Sequence, residues 1–135
     1  MAELSITSSL VTSNNAVITY RSYVTSAAVT AGQVVTQASD SSVSPADSSV
    51  AGDRILGVAL TSAAATDKYV IVAVGGQYIV GATLVAGQMY ALGPTAGGIS
   101  LFSDLASSDY VRYLGYATST TSLQLQINNT GVQKA

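Results

Sequence analysis

The chain has 135 residues, no cysteine and no histidine, and its five basic and seven acidic residues give a net charge of -2. A single domain of this length can bury a core without staples. The missing His and Cys remove the commonest proton-transfer group and the thiolate metal ligands, which excludes most hydrolase and metalloenzyme schemes and leaves the redox compartment open.

Charged residues are 9% of the chain, against roughly 25% in an average soluble protein. So few charges predict a surface that faces protein more than water, as in an assembly subunit. No apolar run approaches the roughly 20 residues of a spanning helix. A transmembrane barrel is expected to carry eight alternating strands and a secretion signal, whereas the opening MAELSITSSLVTS has Glu3, no Lys or Arg and no continuous apolar core. Arg21, Arg54, Lys68, Arg112 and Lys134 are scattered, without the clustered cations that phosphate binding draws on. Neither a membrane nor a nucleic acid is an expected partner.

In chain order, residues 1–15 are Ser/Thr-rich with Leu4, Ile6, Leu10 and Val11 spaced among polar residues. That pattern suits an extended arm adding to a neighbouring subunit's sheet edge, or a first strand of the chain's own sheet. Residues 16–135 form the single β domain. Asn14-Asn15 reads as a turn, and residues 16–25, AVITYRSYVT, as a strand with Ile18, Tyr20, Ser22 and Val24 on one face and Val17, Thr19, Arg21 and Tyr23 on the other. Tyr20, Arg21 and Tyr23 are either a contact patch, since Tyr and Arg concentrate at interface hot spots, or core residues with hydroxyls at the edge.

Ala31-Gly32 turns into a short strand at 33–37, and residues 38–52 read as a solvated polar loop with Pro45 and Gly52. Asp40, Asp47 and Asp53 invite a calcium reading, but their spacing matches no calcium loop, and no metal or cofactor is expected. Residues 54–80 predict a three-stranded meander, with strands at 55–60, 69–74 and 77–80 and a hairpin turn at Gly75-Gly76. After Ala86-Gly87 comes a strand at 88–92, then the turn GPTAGG and a strand at 99–102. That glycine-rich turn lacks the following helix and the Lys of a phosphate loop. A polar loop at 103–109 leads to strands at 110–118 and 122–128, and Asn128-Asn129-Thr130, though a glycosylation sequon, reads as a turn.

Two segments recur: AVTAGQVV as TLVAGQMY, and RILGVALTS as RYLGYATST. They divide the chain into repeat units at about 28–80 and 83–128. The predicted fold is therefore all-β, a compact barrel or two-sheet sandwich of two repeated antiparallel units. Gly57 and Gly115, each inside an apolar strand, predict bends or bulges.

The order RILGVALTS, a Val-rich strand ending in GG, AGQMYALG, PTAGGI and VRYLGYATSTTSLQLQI resembles small β-modules of tailed bacteriophages. These modules occur in capsid decoration (cement) proteins and in tail-fibre or spike proteins, and the similarity is clearest over residues 31–127. The resemblance implies a compact, commonly trimeric β fold without enzymatic activity. For a decoration protein it implies residence on the virion's capsid surface, at three-fold or local three-fold positions of the major capsid protein. A chain that begins with Met and is one module long favours that reading. Candidate subunit or capsid contacts are Leu4, Ile6, Leu10, Val11, Tyr20, Arg21 and Tyr23.

The alternative is a receptor- or glycan-binding fibre module using Tyr110, Tyr113 and Tyr116, since aromatic faces stack on sugars. An enzyme is not expected. There are no paired carboxylates at useful spacing and no nucleotide motif, and a Ser or Thr nucleophile would have only Lys68 or Lys134 as base.

Overall fold

The computed structural model describes residues 4–38, 40–48, 50, 53–93, 95–105 and 107–134, with side chains for all of these except 13–17 and 131. The first three residues of the expected arm, Gly52 and Pro94 therefore lie outside the described residues. The Val-, Ile- and Tyr-rich runs pair into one antiparallel sheet of nine strands. They are β1 (Thr12–Val24), β2 (Val34–Gln37), β3 (Val43–Pro45), β4 (Gly57–Ala59), β5 (Tyr69–Ile79), β6 (Met89–Leu92), β7 (Ile99–Leu101), β8 (Tyr110–Ala117) and β9 (Ser122–Gln133). Single 3-10 turns occur at Ser8–Leu10 and Phe102–Asp104.

The strand order is β3-β2-β4-β5-β9-β8-β6-β7, with β1 added on β5. Exchanging β2 with β6, β3 with β7, β4 with β8 and β5 with β9 reproduces the same order, so the sequence repeat is a structural one. The match extends to single hydrogen bonds. Gly32, at φ +96°, donates its N–H to the Ala59 carbonyl at 2.8 Å, and Gly87, at φ +84°, donates to Ala117 at 2.8 Å. In return Ala59 N–H reaches Gln33 O at 2.9 Å and Ala117 N–H reaches Gln88 O at 3.0 Å.

Gly57 and Gly115 are also equivalent. A Cβ on Gly57 would collide with the Ala73 carbonyl oxygen, and one on Gly115 with the Gln124 carbonyl oxygen. Val58 pairs with Ala73, and Tyr116 with Gln124, so the same neighbouring backbone crosses each glycine in the same register. At Gly115 the ladder also slips, with irregularities between Tyr113 and Gly115 and between Tyr90 and Ala91. The expected bulge is present there, and at Gly57 close backbone approach is what excludes a side chain.

Three expected turns are strand instead. Gly75-Gly76 makes no hairpin: β5 runs unbroken through it and changes partners, pairing with β4 at Val72 and Ala73 and with β9 from Gly76 to Ile79. On the β1 side, Thr19 faces Gly75 and Tyr20 faces Ala73, so Val74 is an extra residue in β5. The glycines, with Gly76 at φ +91°, bend a continuous strand. Asn14-Asn15 lies within β1, where five steps from Ser13 to Ile18 match two from Tyr78 to Gly76. These slips break the strict two-residue face alternation expected of β1. Asn128-Asn129 lies within β9, which runs to Gln133.

The curled sheet encloses the main core, where Val34, Val58, Tyr78, Tyr90, Leu114 and Leu123 are buried together. Each repeat also covers its other face. Val29, Val35, Val43, Val70 and Val72 cluster in the first, and Ala91, Leu105 and Val111 in the second. A parallel bridge from Thr25 to Val43 brings the end of β1 against β3.

The 38–52 segment is not simply a solvated loop. It contains β3, and beyond it Ala46, Ser48, Val50 and Ile55 reach the second repeat as a strap. Ala46 and Ser48 are buried. Gly97 N–H donates to Ala46 O at 2.6 Å, Ser48 N–H to Gly93 O at 3.2 Å, and Tyr110 N–H to Ser48 O at 2.8 Å. Arg112 and Asn129, cross-strand neighbours on β8 and β9, hold the far end. Arg112 Nη1 donates to Val50 O at 3.1 Å, while Asn129 Oδ1 accepts from Ile55 N–H at 2.8 Å and its Nδ2 donates to Ile55 O at 3.2 Å. The strap, more than any ladder between β3 and β7, closes the curl.

Gly57→Ala and Gly115→Ala should each cost about 3 kcal/mol or more in urea unfolding, because a neighbouring backbone carbonyl must move. Gly87→Ala, with φ +84° but open space around its Cβ position, should cost about 1 kcal/mol. Equal losses at all three positions would refute the close-approach account.

Candidate functional site

Residues 4–11 fold back over the sheet. Leu4 N–H donates to Ile99 O at 2.9 Å and Thr7 N–H to Gly81 O at 2.8 Å. Ile6 and Val11 meet Gly32, and Val11 also meets Gly81, both glycines at positive φ where the backbone leaves room. Of the candidate contacts, Leu4 and Ile6 are thus half-buried against the main core and Val11 lies within it, whereas Leu10 is exposed. Tyr20 is 58% exposed and Arg21 is exposed, while Tyr23 packs on the first repeat's second cluster. The structure therefore separates the seven residues into an inward set, Leu4, Ile6, Val11 and Tyr23, and an outward set, Leu10, Tyr20 and Arg21.

Two concavities lie along β1. A groove of about 300 Å³ runs between Val11, Ile18 and Tyr20 on one side and Leu60 and Ile71 on the other. A second cleft, about 430 Å³, lies at the end of β1, where Ser22, Tyr23 and Val24 face Asp40, Ser42, Asp67 and Tyr69. Tyr69 is the most exposed large apolar side chain described, at 75%. Sequence reasoning missed this cleft because its walls come from three separate turns and strand ends. A third depression, on the outside of the second repeat, is lined by Phe102, Tyr113, Val132 and Lys134.

The second cleft is acidic. Asp40 Oδ1 accepts the Ser42 N–H at 3.1 Å and the Ser42 hydroxyl at 2.6 Å, and these bonds, the hydroxyl first, hold its carboxyl below the usual range. Asp53 Oδ2 accepts from Asp47 N–H at 3.2 Å within the strap. Asp40, Asp47 and Asp53 do not converge, and among the described residues no three acidic groups are placed to share a metal ion.

Two of the tyrosines proposed for a glycan platform contact other side chains. The Arg112 guanidinium lies 5.1 Å from the Tyr110 ring centroid and Tyr113 stacks on Phe102 at 6.2 Å. Tyr110, Tyr113 and Tyr116 are all half-buried. Arg112 is 2% exposed, and burial lowers its guanidinium while Asp53 opposes that shift. The sequence repeat paired Arg54 with Arg112, but Arg54 is exposed.

Tyr78 is fully buried as well. Its hydroxyl has no hydrogen-bond partner among the described residues, in contrast to Tyr90, whose oxygen accepts the Val85 N–H at 2.9 Å. Burial pushes the Tyr78 phenol far above its ordinary range.

Compared with models of known protein families and with curated proteins, the sequence matches none. The surface must therefore be read from its own chemistry.

Tyr78→Phe should leave stability unchanged or raise it by about 1 kcal/mol, since it removes a buried hydroxyl without a partner. Because the folded phenol is raised above its unfolded value, the wild type keeps its full stability below about pH 10 and loses it as pH rises further. Melting curves across that window should show a smaller alkaline loss in Tyr78→Phe. A loss of equal size would place the alkaline sensitivity elsewhere.

Proposed function

We propose that the chain is a structural virion protein, a capsid decoration (cement) subunit. It binds the outer surface of the major capsid protein lattice and stabilises the shell. The observation that carries this reading is the surface. Leu10, Tyr20, Tyr69, Val85 and Val132 stand exposed on a chain with only five basic and seven acidic residues. Apolar side chains of that size on so weakly charged a surface are best accounted for by burial against protein. The resemblance of the repeated β units to phage modules supplies the kind of protein, a capsid lattice, and copies of the same chain are the second partner.

Exposed Leu10 and Val85 mark the capsid contact in this reading, since Leu4, Ile6 and Val11 are occupied by the chain's own core. The energetics follow from linkage. A subunit that binds the assembled lattice and not free capsid protein lowers the free energy of the shell, by RT times the logarithm of its saturation ratio. No catalytic step is required, and none is proposed.

The test is cosedimentation with expanded capsids of the phage that encodes the chain. At about 10 µM the protein should pellet at a fixed saturating ratio and raise the temperature at which the shell opens. Leu10→Ser and Val85→Ser should weaken binding about tenfold or more without loss of fold, as exposed apolar contacts do. Protein that stays in the supernatant at that concentration would overturn the assignment.

A further inference from the structure

The cleft at the end of β1 and the residue just before it are complementary, and among the described residues nothing joins them. Asp40 and Asp67 line the cleft together with the exposed ring of Tyr69, and Arg21 stands exposed one residue before its Ser22 wall. Among the described residues, neither Arg21 nor Asp67 has an ion-pair partner within the chain. Lys68 is a neighbouring cation in sequence, and it leaves two carboxylates to one ammonium.

We propose that Arg21 of one copy docks in the Asp40–Asp67–Tyr69 cleft of a second copy, and reciprocally, about a two-fold axis beside β1. Two carboxylates and an aromatic ring are the groups that best receive a guanidinium, through charge-assisted hydrogen bonds and cation–π contact. The other cations fit less well. Arg112 is buried, and Lys134 Nζ is held by the carbonyls of Phe102, Ser103 and Leu105 at 3.1, 3.4 and 2.7 Å. Arg54 borders a different groove, with Ile55 and Asn129.

The reciprocity comes from the strand. Arg21 and the wall formed by Ser22, Tyr23 and Val24 share β1, so they are separated by no more than about 10 Å along it. When two β1 strands face each other antiparallel, Arg21 of each reaches the region of Val24 of the other, and the contact closes on itself. Among the described residues the β1 ladder is formed with β5, and a single bridge joins the strand's end to β3. An edge strand of that length is normally covered. Tyr20, beside Arg21, adds a large apolar contact of the type found at interface centres. The contact is two-fold, in contrast to the three-fold assembly that the phage resemblance implies.

This inference deepens the assembly reading above and can fail separately from it. Sedimentation equilibrium of the purified chain at about 100 µM should give the mass of two chains, dissociating on dilution. Arg21→Glu and Asp67→Asn should each weaken pairing about tenfold or more with unchanged circular dichroism. Asn tolerates the φ of +58° at position 67. Combining Arg21→Glu with Asp67→Lys should restore pairing, and the single variants decide the matter where the double does not fold. A mass of one chain or of three for the wild type, or undiminished pairing of Arg21→Glu, would overturn the proposal. Capsid cosedimentation of the same proteins separates the readings. Shells bound by a chain that never pairs overturn only this inference, and pairing without shell binding overturns only the assembly assignment.

Discussion

The rest of the structure depends on the ladder that β5 makes with three other strands. Its first half pairs with β4, its second half with β9, and β1 runs along it from Tyr69 to Ile79. A strand has two edges, so a third partner is possible only if β5 changes neighbours partway. That change requires a bend, and Val74, the extra residue opposite β1, together with Gly75 and Gly76 supplies it. Because β4 belongs to the first repeat and β9 to the second, β5 is also the joint between them. Substitution there would act on both halves at once, whereas damage in β3 or β7 acts on an edge.

The two repeats keep their internal geometry and diverge where each must meet the other. The glycines beneath a neighbouring carbonyl, the left-handed turn glycines and the Ala–Gln backbone pairs are retained in both. These are positions where backbone approaches backbone, and a side chain has no space to vary. The connections differ. The first repeat sends Ala46, Ser48, Val50 and Ile55 across to Gly93, Gly97, Tyr110, Arg112 and Asn129, and the second folds Leu105 onto its own outer face. A strap in one direction closes the curl, and residues 4–11 cover the other side through Ile99 and Gly81. Asymmetric closure explains why Arg112 is buried and Arg54 is not, although both follow the same Arg-x-Leu-Gly pattern.

What could be read from the sequence was the part written in local rules. β-branched runs gave the all-β class, and Ala31-Gly32 and Ala86-Gly87 gave the turns where φ is positive. The repeat divided the chain into two units, and the strand order reads the same from either end when their strands are exchanged. Gly75-Gly76, Asn14-Asn15 and Asn128-Asn129 misled because residues that permit a turn also permit a bulge or a bent strand. Which one forms depends on partners distant in the chain. The strap was illegible for the same reason: Ser- and Asp-rich sequence reads as solvated, and Asn129, 74 residues from Ile55, is what pairs its backbone. The candidate contacts divided inward and outward because alternation alone does not say whether an apolar side chain meets its own core or another molecule.

Burial inside and exposure outside are linked in a chain of this composition. The core is made of Val, Ala and Leu with few large aromatics, and Tyr78 and Tyr90 are the largest apolar side chains fully enclosed. Tyr20 on β1 and Tyr69 at the start of β5 stand exposed, where the ring is in contact with solvent and the cost of leaving it there is unrecovered. An edge strand with one cation and two tyrosines also lacks the lysines and prolines by which solitary sheets discourage pairing. Low charge, an exposed aromatic edge and an acidic cleft beside Arg21 are then one arrangement, and together they are what support the proposed contact with protein.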